Sequence, residues 1–258
     1  MTRKLLVAIV SSISLLVPVQ ASATVDPNWS QTGPNAVKTQ ILPAHTLYYP
    51  ATISGRAPVV VWGNGTGAVP GIYSGLLRHL ASHGFIVAAA NTTMSGTGAE
   101  MRAGIDLLAT LDQQAASDLY QHVDLDHIGA AGHSQGGQGA INAGADARID
   151  TTIPLQPGPL AAPAKLKGPS LFLSGAADTV VPAALVAGMW QKAPAPTVYA
   201  SLKDATHMEP TGDGGGFRGV VTAWFKYQLT GNTAAAQEFT GPNCGLCTDA
   251  AWTDIRRR

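Results

Sequence analysis

The residue of this 258-residue chain best placed for covalent chemistry is a serine flanked by glycines, in Gly132-His133-Ser134-Gln135-Gly136. It follows the apolar run Ile128 to Ala131 and opens a stretch of small residues that includes Gly139, Ala140 and Ala143. A Gly-x-Ser-x-Gly pattern between a strand and a helix is a nucleophile elbow. The turn is strained and brings neighbouring backbones close, so glycine is needed two positions before and two after the serine. A serine hydroxyl is a weak nucleophile until a base takes its proton and an acid orients that base. On such an elbow the partners follow in the order Ser, acid, His. His207 is the only histidine downstream of both Ser134 and Asp178, and is the expected base. Asp178, just beyond the apolar run Leu171-Phe172-Leu173, is the expected acid. A helix cap ahead of Pro182 is its competing role. Asp204 and Asp213 are weaker candidates for the acid, and His133 reads as scaffold or cleft wall.

Acyl transfer also needs donors for the oxyanion that develops on the attacked carbonyl. The amide after the nucleophile, that of Gln135, is one, and a loop after an earlier strand supplies the other. Here that loop is Gly63-Asn64-Gly65-Thr66-Gly67, and the second donor is set at Gly65, within one residue either way. The loop lacks the Lys-Ser/Thr of a nucleotide-binding loop.

These residues have to be held by strands and helices. From Pro58 onward, buried apolar runs alternate with amphipathic stretches. The runs are Val59 to Trp62, Phe85 to Ala90, His127 to Ala131, Thr151 to Leu155, Ser170 to Leu173 and Thr197 to Leu202. A further strand is expected around Gln40 to Tyr49. Continuous apolarity is the mark of parallel strands covered on both faces. Helices are expected over Ile72 to Ser82, Ala99 to His122, Gln135 to Ala145, Pro182 to Gln191 and Phe217 to Leu229. In the second, Met101, Ile105, Leu108 and Leu111 share one face, with Asp112 and Gln113 opposite. The alternation predicts an α/β fold with a mostly parallel, doubly wound sheet.

Composition narrows the function classes. Sixteen basic side chains balance sixteen acidic ones, so no electrostatic grip on nucleic acid is expected. With 45% hydrophobic residues and no net charge, disorder is not expected either. Arg3 and Lys4, an apolar run from Leu5 to Val19 and the triplet Ala21-Ser22-Ala23 have the layout of a secretory signal peptide. Cleavage after Ala23 leaves residues 24–258 as one exported domain, extracellular or periplasmic and without a membrane anchor. Cys244 and Cys247, the two cysteines, are expected to pair in an oxidising compartment and pin the C-terminal tail. No metal or organic cofactor is called for, and a monomer is expected.

Several blocks resemble those of the α/β-hydrolases, and among them the bacterial cutinase and polyester hydrolase group related to dienelactone hydrolases. They are Ala81-Ser82-His83-Gly84-Phe85-Ile86-Val87, the elbow Gly132 to Gly137, Asp178 to Pro182 and the His207 loop, within a span from Pro58 to Leu229. The separations of 44 and 29 residues between Ser134, Asp178 and His207 are also similar to that group. The resemblance implies the α/β-hydrolase fold with Ser134 as nucleophile, His207 as base, Asp178 as orienting acid, and Gln135 and Gly65 as oxyanion donors. The chain departs from the group where an aromatic residue is usual in the oxyanion loop and a tryptophan after the next strand. Gly65 and Gly158 correspond to those positions. The cysteines are also closer together than the group's usual pair. Only 14 residues separate Leu155 from Ser170, too few for a large lid.

The expected function is a secreted serine carboxylester hydrolase acting through an acyl-enzyme on a small or polymeric ester. An extracellular acyltransferase on the same triad, and a non-catalytic binding protein on a hydrolase scaffold, are the alternatives.

Overall fold

The computed structural model describes residues 28–258; residues 1–23, read as an export leader, lie outside them. One nine-stranded open sheet organises the chain. Its strands are β1 (Val37–Ile41), β2 (His45–Pro50), β3 (Ala57–Gly63), β4 (Ile86–Ala90), β5 (Val123–His133), β6 (Thr151–Leu155), β7 (Ser170–Gly175), β8 (Thr197–Leu202) and β9 (Trp252–Arg257). They lie in the order β1-β2-β4-β3-β5-β6-β7-β8-β9. The pairs from β4 through β8 are parallel, whereas β1, β2 and β9 run antiparallel to their neighbours.

Helices cover both faces because each central strand is apolar on both sides. Val60 and Trp62 of β3 point to one core, shared with Leu76, Leu77 and Leu80 of α1 (Ser74–Ser82) and with Trp224 and Phe225 of α5 (Arg218–Thr230). Val59 and Val61 point to the other, against Met101, Ile105 and Leu108 of α2 (Ala99–Gln113) and Ala140 of α3 (Gln135–Ala143). Alternate residues of a strand face opposite sides, so a run of four apolar residues feeds both cores. On the face of α2 and α3, α4 (Ala183–Trp190) closes the sheet's other half over Phe172 and Tyr199. Between β6 and β7 there is only a 3-10 turn, Pro163–Lys165, and no lid.

Three expectations are corrected. The strand expected around Gln40 to Tyr49 is a hairpin, β1 and β2, broken at Pro43, whose ring nitrogen has no hydrogen to give a ladder. The helix expected through His122 ends at Gln113. There Asp112 turns inward, one oxygen accepting the Val123 amide at 2.9 Å and the other facing Arg56 at 3.1 Å, so it anchors the start of β5 and does not sit on a solvent face. The C-terminal tail is more than a tail: α6 (Thr233–Ala236) and α7 (Gly245–Thr248) lead into β9, which pairs with β8. Cys244 and Cys247 are disulfide-bonded at the start of α7, Cα atoms 5.0 Å apart.

Candidate active site

Ser134 sits between the end of β5 and the start of α3 with φ 56° and ψ −120°, a conformation that L-residues rarely adopt. Close approach of three backbone segments imposes it. A side chain on Gly136 would overlap the Gly63 carbonyl, and one on Gly132 would overlap the Gly136 carbonyl. The Ser134 amide is tied to the Leu155 carbonyl at 3.0 Å, so the neighbouring strand fixes the turn in place.

His207 lies in the loop after β8, its Nε2 3.0 Å from Ser134 Oγ and its Nδ1 2.8 Å from Asp178 Oδ2. The Asp178 side chain is inaccessible to solvent and that of His207 nearly so. Asp178 Oδ1 accepts the amides of Val180 and Val181, each at 2.8 Å. The helix cap considered for this residue is not formed: Pro182 holds the N-cap position of α4 with no side-chain bond, and the two amides that Oδ1 accepts lie in the loop ahead of it, while Oδ2 faces His207. Asp204 and Asp213 do not reach His207; Asp213 pairs with Arg218 at 2.7 Å.

Of the two expected oxyanion donors, the Gln135 amide stands at the first turn of α3, where helix amides have no partner within the helix. The Gly65 amide is committed elsewhere, donating to Tyr73 Oη at 3.1 Å. The next amide, that of Thr66, meets no hydrogen-bond acceptor among the described residues. Asn64 anchors the loop from below, its Nδ2 donating to the carbonyls of Ala90 and Thr92 at 2.6 and 3.0 Å.

A family model described as PETase, PET hydrolase-like, matches residues 20–251. The chain belongs to the PET hydrolase-like family. A bis(hydroxyethyl) terephthalate hydrolase of Streptomyces coelicolor is 30% identical over 200 residues, an alignment that takes in 74% of this chain. The chain spans 64% of that relative's length.

Within this PET hydrolase-like scaffold, exposed aliphatic and thioether side chains neighbour the triad: Val180 is two residues past Asp178 and Met208 follows His207. Met94, Val180 and Met208 are all exposed, and Met94 Sδ lies 3.6 Å from Gln135 Nε2. The loop position expected to be aromatic holds no ring whichever residue is taken, Gly65 or Thr66. A side chain at Gly65 would come 2.9 Å from Tyr73 Oη, and one at Gly158 3.0 Å from Gln138 Oε1. Among the described residues no group of three or more His, Cys, Asp or Glu side chains is placed to hold a metal ion, and no helix is long and apolar enough to cross a membrane.

Three supporting residues were not evident from the sequence. Gln156, buried and at φ 45°, donates from Nε2 to the Thr206 carbonyl at 2.9 Å and so holds the loop that carries His207. Its place between Pro154-Leu155 and Pro157-Gly158 was the available hint. Asn64 reads in the sequence as ordinary composition of a glycine-rich loop. Tyr73 carries no local signal, because its partners are 8 and 60 residues away.

Proposed function

We propose that this chain is an exported serine carboxylester hydrolase. The observation that carries the reading is the unbroken line of hydrogen bonds from Asp178 through His207 to Ser134. In this reaction Ser134 Oγ attacks the ester carbonyl while His207 Nε2 takes the hydroxyl proton. The oxyanion rests on the amides of Gln135 and, one residue beyond Gly65, Thr66. Asp178 stays ionised, holds the Nδ1 proton in place and offsets the imidazolium charge. Collapse of the tetrahedral species breaks the ester C–O bond, and His207 returns its proton to the departing alkoxide. Water then attacks the acyl-serine by the same proton route and releases the carboxylic acid and free Ser134.

The exposed Met94, Val180 and Met208 support an apolar acyl or alcohol group lying beside the triad. The name of the Streptomyces coelicolor relative supports esters of carboxylic acids as the substrate class. The leader-like residues 1–23 support export, which N-terminal sequencing of the secreted protein tests by finding Thr24 first.

The central test is fluorophosphonate labelling with rates on p-nitrophenyl esters of increasing chain length. Stoichiometric labelling at Ser134 and loss of at least about 10⁴-fold in kcat for folded Ser134→Ala are expected. Retained activity in that variant overturns the reading, and product transfer to added alcohols in preference to water replaces it with an acyltransferase.

A further inference from the structure

We propose that Tyr73 is a positioning residue for this chemistry, its phenol tying the oxyanion loop to the residue that precedes the nucleophile. The inference rests on the esterase reading above. Tyr73 ends a 3-10 turn, Pro70–Tyr73, and is 1% exposed, its ring packed on Trp62 with centroids 5.1 Å apart. Its Oη accepts the Gly65 amide at 3.1 Å and lies 3.0 Å from His133 Nδ1.

The second bond is assigned with the phenol as donor. A phenol oxygen that already accepts one N–H has a single hydrogen to give, and His133 Nδ1 is the acceptor in reach. In this assignment Nδ1 is the bare nitrogen and the ring proton sits on Nε2, which meets no hydrogen-bond acceptor among the described residues. Burial, followed by the neighbouring His207, lowers the His133 pKa to about 3, so the ring is neutral and able to accept there. The same ring lies against His207, centroids 4.7 Å apart. One buried phenol thus joins three parts of the site: the loop after β3, the end of β5 beside Ser134, and the loop that carries the base.

This latch explains why residue 65 is glycine. A Cβ there would come 2.9 Å from Tyr73 Oη, 3.4 Å from His133 Nδ1 and 3.5 Å from Ser134 Cβ. With the Gly65 amide held by Tyr73, the direction of the following peptide, which carries the Thr66 amide, is set relative to Ser134. Oxyanion donors act only when aimed at the transition-state oxygen, and a displacement of about 1 Å can cost about 10²-fold. Tyr73→Phe keeps the ring packing and removes the one oxygen that does the tying.

The test compares wild type, Tyr73→Phe, His133→Phe and the double variant, each assayed well below its own melting temperature. Tyr73→Phe is expected to lower kcat about 10- to 100-fold, leave KM within about twofold and slow fluorophosphonate labelling in parallel. Because both substitutions remove the Tyr73–His133 bond, and Tyr73→Phe also frees the Gly65 amide, the double variant should lose less than the product of the two single losses. Tyr73→Phe with wild-type kcat, a loss confined to KM or to melting temperature, or multiplicative losses in the double variant, overturns the latch. Wild-type activity and labelling judge the esterase reading separately. If the wild type is inert and unlabelled, that reading fails and the latch fails with it, whereas an active wild type with an unaffected Tyr73→Phe fails the latch alone.

Discussion

Asp178 divides its carboxylate between two tasks, Oδ2 facing His207 Nδ1 at 2.8 Å while Oδ1 accepts the amides of Val180 and Val181. The residue proposed to orient the base is thereby tied to its own loop, and a carboxylate with no solvent exposure keeps three donors. The two tasks can be separated by substitution. Asp178→Asn retains an oxygen for the two amides but loses the charge and can offer an N–H to His207, favouring the wrong tautomer. It should lower kcat about 10³- to 10⁴-fold with little change in melting temperature. Asp178→Ala should lose activity similarly and also about 1–3 kcal/mol of stability, because the loop amides of Val180 and Val181 lose their acceptor. Steady-state rates and denaturant midpoints on both variants check the division.

Gln156 acts on the base from further out. Its side chain holds the Thr206 carbonyl, one residue before His207. Gln156→Ala should leave that carbonyl with the Glu209 amide, at 3.2 Å, as its remaining donor and loosen the loop, lowering kcat about 3- to 10-fold at nearly constant KM, with about 0.5–1.5 kcal/mol of destabilisation. Unchanged kcat with only a lower midpoint would assign Gln156 a structural role alone.

Crowding at the elbow gives a prediction about folding. Gly136→Ala would drive a methyl into the Gly63 carbonyl, a backbone atom with nowhere to retreat between two strands. A loss of about 3 kcal/mol or more is expected, seen as insoluble expression or a collapsed thermal transition. Gly71→Ala, where a Cβ meets nothing within 4 Å, is the control and should express normally.

Acid should destabilise the fold through two buried histidines. His79 is lowered to about 4, by burial first and then by His83, with Arg218 adding to the effect and the Trp29 carbonyl and Asp213 opposing it. His133 is lowered to about 3. In the unfolded chain both take up a proton near ~6.5. Between that value and the folded one the unfolded state binds more protons, so stability falls as pH drops through this window, by up to about 1.4 kcal/mol per unit for each histidine. Urea midpoints at pH 7 and pH 4.5 measure it. His79→Gln should flatten the dependence, and an unaltered slope in that variant would remove His79 from the account.

The sequence by itself determined the candidate nucleophile, acid and base and their order. Gly132 to Gly136 announce a strained serine because steric crowding acts over neighbouring residues and leaves its mark in residue type. The apolar runs announced central strands for the same reason, since a strand covered on both faces has to be apolar throughout. Asp178 was legible as a candidate acid or a helix cap, and only folding showed that it leaves α4 uncapped and ties its own loop through Oδ1 while Oδ2 faces His207. Signals faded where partners are distant. Asp112 looked solvent-facing by helical period, yet it caps β5 because Arg56 and the Val123 amide arrive from elsewhere. The last strand, Trp252–Arg257, is charged and edge-like, and only pairing with β8 makes it a strand. Tertiary structure alone decided which amide of the glycine-rich loop is free. The hydroxyl that occupies Gly65 comes from the turn ahead of α1 and reaches His133 across 60 residues. Contacts of that kind depend on where β3 and β5 lie side by side, a distance relation that no local pattern of residues encodes.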